Sequence, residues 1–212
     1  MRVLKDGSLV TSRADGRICL WDTKKGLLKA VRNVRSSIYR VPGGGSIRTN
    51  YIVTSPDAKR AAALDYVKTP VIIGDTLHED ATAGYKLTLW DLEKGKSIRD
   101  LPLGAGKRDA SSVAWSDDGR FIAWVSYDVA DDDGSSLECV VWDVSRGKEV
   151  MREKPPTGIW IGGVISFSPD GKLLGMPAGE KPEKAMVAIW DISDLTATGD
   201  SDAESKNKPA NE

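Results

Sequence analysis

Four nine-residue stretches decide how this chain folds: ICLWDTKKG at 18–26, LTLWDLEKG at 87–95, CVVWDVSRG at 139–147 and VAIWDISDL at 187–195. With seven Trp in 212 residues, chance yields about 0.7 Trp-Asp pairs, and a recurring pair is the mark of a repeat architecture. Trp21-Asp22, Trp90-Asp91, Trp142-Asp143 and Trp190-Asp191 make four. The residue before each Trp (Leu20, Leu89, Val141, Ile189) and the residue three before it (Ile18, Leu87, Cys139, Val187) are apolar. The positions between them, Cys19, Thr88, Val140 and Ala188, are small or β-branched, so each segment reads as a short strand buried on both faces. Three copies continue as Asp-x-x-Lys/Arg-Gly and end at Gly26, Gly95 and Gly147. The Asp carboxylate can accept from backbone N–H groups of the following turn, and Gly can take its positive φ, so a tight hairpin is expected there.

Upstream of each Trp lies a second turn: Lys5-Asp6-Gly7, Ser55-Pro56-Asp57-Ala58, Ser116-Asp117-Asp118-Gly119 and Ser168-Pro169-Asp170-Gly171. Pro at the second position and Gly at the fourth suit a type I turn between strands, and Ala58 is the weak copy.

In these motifs residues 1 to about 195 resemble the WD40-repeat β-propeller family. The resemblance implies an all-β fold of about four antiparallel blades, each of strands A to D from the central channel outward. Ser-Pro-Asp-Gly is then the A–B turn, Trp-Asp closes strand C, and Asp-x-x-Lys-Gly is the C–D turn. The family often joins the strand C Trp to a Ser or Thr on strand B, a turn Asp and a His. Here Asp15 matches the turn Asp, but Arg13 stands where the hydroxyl is sought and the only histidine, His78, lies elsewhere, so this network is expected to be absent.

The expected organisation is a partial blade B-C-D over 1–40 with at most a stub of strand A at Val3-Leu4, blades over 41–104 and 105–154, and a blade lacking strand D over 155–195. In the last, strand B is expected to stop before Pro177. A disordered polar tail is expected over 196–212. This looks like the C-terminal half of a larger propeller of about seven blades. The missing blades are expected from a segment preceding residue 1; a ring of two copies is the alternative, set back because each copy carries four B and four C strands but lacks one A and one D.

Antiparallel succession puts the A–B and C–D turns at one end of every blade and the B–C and D–A connections at the other. From turn Asp to Trp the separations are 15, 33, 24 and 20 residues, and from Trp to the next turn Asp 36, 28 and 28. Because the turns are short, the variation falls on the B–C and D–A loops: 42–46, the stretch from Lys68 to Gly84 with His78-Glu79-Asp80, the acidic 128–136 with Asp131, Asp132 and Asp133, and 155–161 with Trp160. Variable loops on a rigid scaffold are where recognition resides. Trp160 is the expected apolar anchor there, with Arg40, His78 and Asp131 to Asp133 as a polar rim.

Composition removes other classes. Thirty Lys and Arg against 31 Asp and Glu leave a net charge of −1, which supplies no field for nucleic acid or an anionic membrane. There is no apolar run of membrane length and no signal-peptide core after Met1, so a cytoplasmic protein is expected. Cys19 and Cys139 have no metal-ligand spacing and read as reduced buried thiols. An EF-hand reading of 129–140 fails because Val129 and Val140 hold its terminal acidic positions. Gly104-Ala105-Gly106-Lys107 lacks the first Gly of a phosphate loop, and Arg108 replaces its Ser or Thr. His78 has no positioned partner for general-base work and reads as a loop residue. No metal and no cofactor are expected. The expected function is a non-catalytic protein–protein interaction scaffold; the alternative is a fragment of a propeller enzyme whose channel-face site is completed by missing blades.

Overall fold

The computed structural model describes residues 1–13, 16–34, 49–67, 70–73, 76–79, 84–105, 108–128, 136–155, 164–179 and 186–197. Within them the chain forms four antiparallel sheets in sequence order. The first holds β1 (Arg2–Val3), β2 (Leu9–Ser12), β3 (Arg17–Asp22) and β4 (Leu27–Asn33). The second holds β5 (Thr49–Thr54), β6 (Arg60–Val67), β9 (Gly84–Asp91) and β10 (Lys96–Leu101), with a separate hairpin, β7 (Pro70–Ile73) and β8 (Thr76–Glu79), between β6 and β9. The third is β11 (Arg108–Trp115), β12 (Phe121–Asp128), β13 (Glu138–Asp143) and β14 (Lys148–Glu153). The fourth has three strands, β15 (Ser166–Phe167), β16 (Leu173–Ala178) and β17 (Met186–Asp191), followed by the short helix α1 (Ser193–Ala197). These are propeller blades, and every Trp-Asp pair ends a strand C.

Three apolar cores lie between consecutive blades rather than inside any one of them. In the third blade alternation sends Ile122, Trp124, Val140 and Trp142 toward Ala62, Leu64, Leu87 and Leu89 of the second. The intervening Phe121, Ala123, Val125, Cys139 and Val141 pack against Leu174, Met176 and Ala188 of the fourth. Between the first and second blades Val10 and Ile18 meet Ala61, Ala63 and Trp90. Each side-chain parity thus serves a different neighbour, which is why the third blade is apolar without a break from Phe121 to Val125 and from Cys139 to Trp142. Neighbouring blades are also stitched together: Ser12 Oγ donates to Ile52 O at 3.3 Å, Trp115 Nε1 to Val53 O at 3.3 Å and Ile165 N–H to Ser112 Oγ at 3.0 Å.

Several expectations need correction. The stub of strand A in the first blade lies one residue earlier than expected, at Arg2–Val3, and pairs with β2. The long connection from Lys68 contains the β7–β8 hairpin, so His78 is a strand residue paired with Val71 rather than a loop residue. Strand β16 runs on through Pro177, opposite Val187; β16 also pairs with β15 at Ser166–Phe167, short of Pro177, so the imide nitrogen leaves that ladder intact. Helix α1 occupies residues 196 and 197, where the polar tail was expected to begin.

One link of the Trp network, indole to strand B hydroxyl, is present in the first blade. Trp21 Nε1 donates to Thr11 Oγ1 at 2.9 Å, so Thr11, two residues before Arg13, supplies the strand B hydroxyl. The register explains why it appears only there. Thr11 pairs with Cys19, two residues before the Trp, and the matching positions opposite Thr88 and Val140 are Ala63 and Trp124, which carry no hydroxyl. The buried Nε1 atoms of Trp90 and Trp142 accordingly have no hydrogen-bond partner among the described residues.

Candidate interaction surface

The two ends of the blades are built from different chemistry. At the turn end one device recurs. Asp170 Oδ1 accepts from Ser168 Oγ at 2.6 Å and from Lys172 N–H at 3.1 Å, while Ser168 Oγ takes Leu173 N–H. Asp57 with Ser55, and Asp118 with Ser116, repeat it. The C–D turns use the Asp after each Trp: Asp22 accepts from the N–H groups of Lys24 and Lys25, Asp91 from Lys94 N–H, and Asp143 from Ser145 and Arg146 N–H. In the fourth blade Asp191 takes Ser193 N–H and starts α1 instead. Gly26, Gly95 and Gly147 sit at φ of +67°, +62° and +64°, and Ala58 bears +55° in the A–B turn that lacks Gly.

These bonds favour the ionised acid. The Lys94 N–H holds Asp91 below the ordinary carboxylate value, and the Ser168 hydroxyl with the Lys172 N–H does the same for Asp170. At Asp143 burial pushes upward, but the Ser145 hydroxyl, the Arg146 N–H and the Arg120 guanidinium 3.1 Å away outweigh it. A groove of about 560 Å³ between the A–B turns is lined by Asp6, Asp57, Asp118, Lys59 and Arg60. Its carboxylates are already committed to their own turns, so it offers scaffold chemistry rather than free acids.

At the opposite end the third blade carries a polar cluster that no motif announced. Arg108, at the start of β11, donates to Ser126 Oγ at 3.0 Å and Ser136 O at 2.6 Å, and pairs with Glu138 at 2.9 Å. Arg152 grips the same Glu138 at 2.7 Å and Glu149 at 2.7 Å. These contacts clamp both ends of the acidic B–C connection whose centre is Asp131 to Asp133. Beside them Asp109 is buried, accepting from Tyr127 Oη at 2.7 Å and Ala110 N–H at 2.6 Å. Burial raises its carboxyl above the ordinary value despite those bonds, and burial together with Asp109 raises the Tyr127 phenol. Arg108 was visible in the sequence only as a failed phosphate-loop position; its partners lie 18 to 30 residues away, which no local pattern reveals.

The inner strands face a cavity of about 570 Å³ lined by Val10, Val53, Val113, Trp115, Ile165 and Phe167 among others. The charged groups lining it, Arg2 and Asp117, are joined to each other at 2.5 Å, tying the first blade to the third across the channel mouth. Trp115 and Trp124 are core residues. Cys139 is buried and its thiol is pushed up to about 12 by that burial, which makes it inert. Among the described residues no cluster of His, Cys, Asp and Glu can hold a metal. Of the residues expected to bind, Trp160, Arg40, Asp131, Asp132 and Asp133 lie outside the described residues. His78 is placed by its backbone in β8, on the hairpin inserted between strands B and C.

No protein-family model matches the chain, and no curated protein matches it. Solved structures do. The β-propeller domain of Myceliophteria thermophila Cps50 (Swd1) aligns with 90% of this chain and 52% of its own, at 16% identity and a TM-score of 0.51. U3-55K aligns with 88% of this chain and 50% of its own, at 15% identity and a TM-score of 0.48. The RRP9 WD40 repeats align with 88% and 49%, at 15% identity and 0.48. The first of these shows the fold, that of a β-propeller domain. The chain spans about half the length of the solved structures it matches.

Proposed function

We propose that this chain is a protein-interaction scaffold that engages its partner through the B–C and D–A end of the blades and performs no catalysis of its own. The observation that supports this is the asymmetry of the two ends. The turn end is closed by one repeated Asp–backbone device that leaves its carboxylates occupied. The other end carries the connections that differ in length, and at least one of them springs from a clamped base, Arg108–Glu138–Arg152. A rigid base under a variable loop lowers the ordering cost of binding. Trp160 is the proposed anchor, with Arg40, His78 and Asp131 to Asp133 orienting the partner.

The test compares Trp160→Ala with Lys172→Ala, a substitution in the A–B turn at the opposite end. Partner capture should fall with the first, by about 2 kcal/mol or more for a hot spot, and stay level with the second, while both variants keep the wild-type melt. Loss of binding with Lys172→Ala alone reverses the assignment of the face, and unfolding of Trp160→Ala makes that residue part of the core.

A further inference from the structure

Among the described residues the exposed large apolar side chains, Ile98 apart, collect on the first and fourth blades. The face of the fourth blade that points away from the third presents Val187 at 63% exposure and Ile189 at 64%, with Leu173 beside them. Ile189 and Val187 stand one and three residues before Trp190, the places held by Val141 and Cys139 in the third blade and by Leu89 and Leu87 in the second. Those four are buried against the next blade. At the other end Val3 pairs with Leu9, and Leu9 with Trp21. The same row in the third blade is Trp115, Ile122 and Trp142, all buried against the second blade. Val3 is 67% exposed, with Leu28 and Val31 also exposed on that blade. The open face of the fourth blade is thus the forward half of a blade–blade interface, and that of the first blade is a backward half. They continue interfaces already formed three times within the chain.

We infer that the forward face of one copy docks on the backward face of a second copy, so that two chains close one propeller. Three observations select a second copy as the occupant. The two faces are opposite halves of one interface type, so the contact is head-to-tail, and a head-to-tail contact closes a ring where the rotation allows. The chain spans 52% of the solved β-propeller it matches, so two copies match a full ring in size. Charge is complementary: residues 1–34 hold eight Lys and Arg against three Asp, whereas residues 164–197 hold three Lys against five Asp and Glu. Head-to-tail docking sets positive on negative, and head-to-head docking sets positive on positive. Strand supply agrees as well. With β1 in place the described residues of each copy supply four A, four B, four C and three D strands, all but the outermost D of the fourth blade. Two copies make eight blades, within the usual range of roughly four to eight.

The mass of the 212-residue chain in solution tests this, by sedimentation or light scattering across a concentration series. Wild type should run at twice 22.9 kDa. Ile189→Asp and Val3→Lys should each fall to the monomer with far-ultraviolet circular dichroism unchanged, while Ile98→Asp, on the exposed side of β10, should remain dimeric. Mixing the Ile189→Asp and Val3→Lys chains should restore the dimer, because a mixed ring keeps one junction with both faces native. A face-to-itself contact gains nothing from mixing. Wild type that stays monomeric at every concentration, forms an open ladder of sizes, or dimerises without rescue in the mixture overturns the proposal. In those outcomes the faces are left to unlike partners or to further blades.

Discussion

The third and fourth blades carry the same strand C sequence pattern and meet different fates. Cys139 and Val141 are sealed between sheets, and β12 beside them is buried from Phe121 to Ser126. Val187 and Ile189, their counterparts, lie open to solvent. What differs is the neighbour, because in this architecture a blade has no core of its own and each face is buried only by the next sheet. Stability is therefore expected to grade from the sandwiched third blade toward the ends.

The widest gap should come from truncating the centre. Trp124→Ala removes a fully buried side chain from the middle of the stack and should cost about 3–5 kcal/mol in denaturant unfolding. A cost under 1 kcal/mol would mean that the third blade is not the stable heart of the chain.

A matched pair is sharper. Leu89→Ala and Ile189→Ala change the same position before the Trp in the second and fourth blades. The first should cost about 2–5 kcal/mol and the second no more than about 0.5 kcal/mol in dilute monomer. If the Ile189→Ala penalty grows with protein concentration, that face is covered in the assembly.

The turn glycines separate an inner junction from an outer edge. A Cβ at Gly147 would sit 2.8 Å from Arg99 Nη1, whose hydrogen bond to Gly147 O at 2.8 Å ties the second blade to the third. At Gly26 the same Cβ meets nothing. Both positions have positive φ, so Gly147→Val and Gly26→Val should each lose about 1–3 kcal/mol from strain, with Gly147→Val the worse of the two. Equal losses would show that Arg99 contributes nothing at the junction.

Acid should act on the two ends of the blades with opposite sign. The turn acids Asp91, Asp143 and Asp170 have folded values below 3.8. Their contribution is present above that value and is lost as pH falls through the folded values. Asp109 is raised above 3.8, so its contribution is full below that value and is lost as pH rises through its folded value. Chemical denaturation across pH should show Asp109→Asn removing a decline in stability above pH 3.8, and Asp143→Asn weakening the acid-side loss. No change in either profile would remove both groups from the pH response.

The smallest effect is expected at Ala58, the non-glycine residue with φ of +55°. Ala58→Gly relieves strain of about 1 kcal/mol but adds about 0.4–1 kcal/mol of unfolded-chain entropy. The net gain should be a few tenths of a kcal/mol, read as a small rise in the melting midpoint.

Much of this architecture could be read before any coordinates because propeller turns are local. A Trp closing a strand, an Asp within reach of the next N–H groups and a Gly for positive φ all lie within five residues, so hairpin, strand identity and blade number follow from spacing. The hydroxyl of Thr11 was missed by two residues, since strand register decides which B residue meets the indole and no motif encodes it. The β7–β8 hairpin was missed because Pro70–Ile73 and Thr76–Glu79 are short and lie inside what counts as one long connection. The Arg108–Glu138–Arg152 clamp and the Asp109–Tyr127 bond join groups from different strands, and side-chain identity alone does not show that a charge is buried.

The sequence by itself determined the repeat, the alternation that makes both faces of each blade apolar, and the chemistry of every turn, because these depend on neighbours a few residues apart. Only the tertiary structure decided which of those identical faces are covered. Leu89, Val141 and Ile189 are equivalent in sequence, yet their burial depends on a sheet some fifty residues away or, for Ile189, on one that the described residues do not supply. The apolar face is a property of the strand, whereas its burial is a property of the stack.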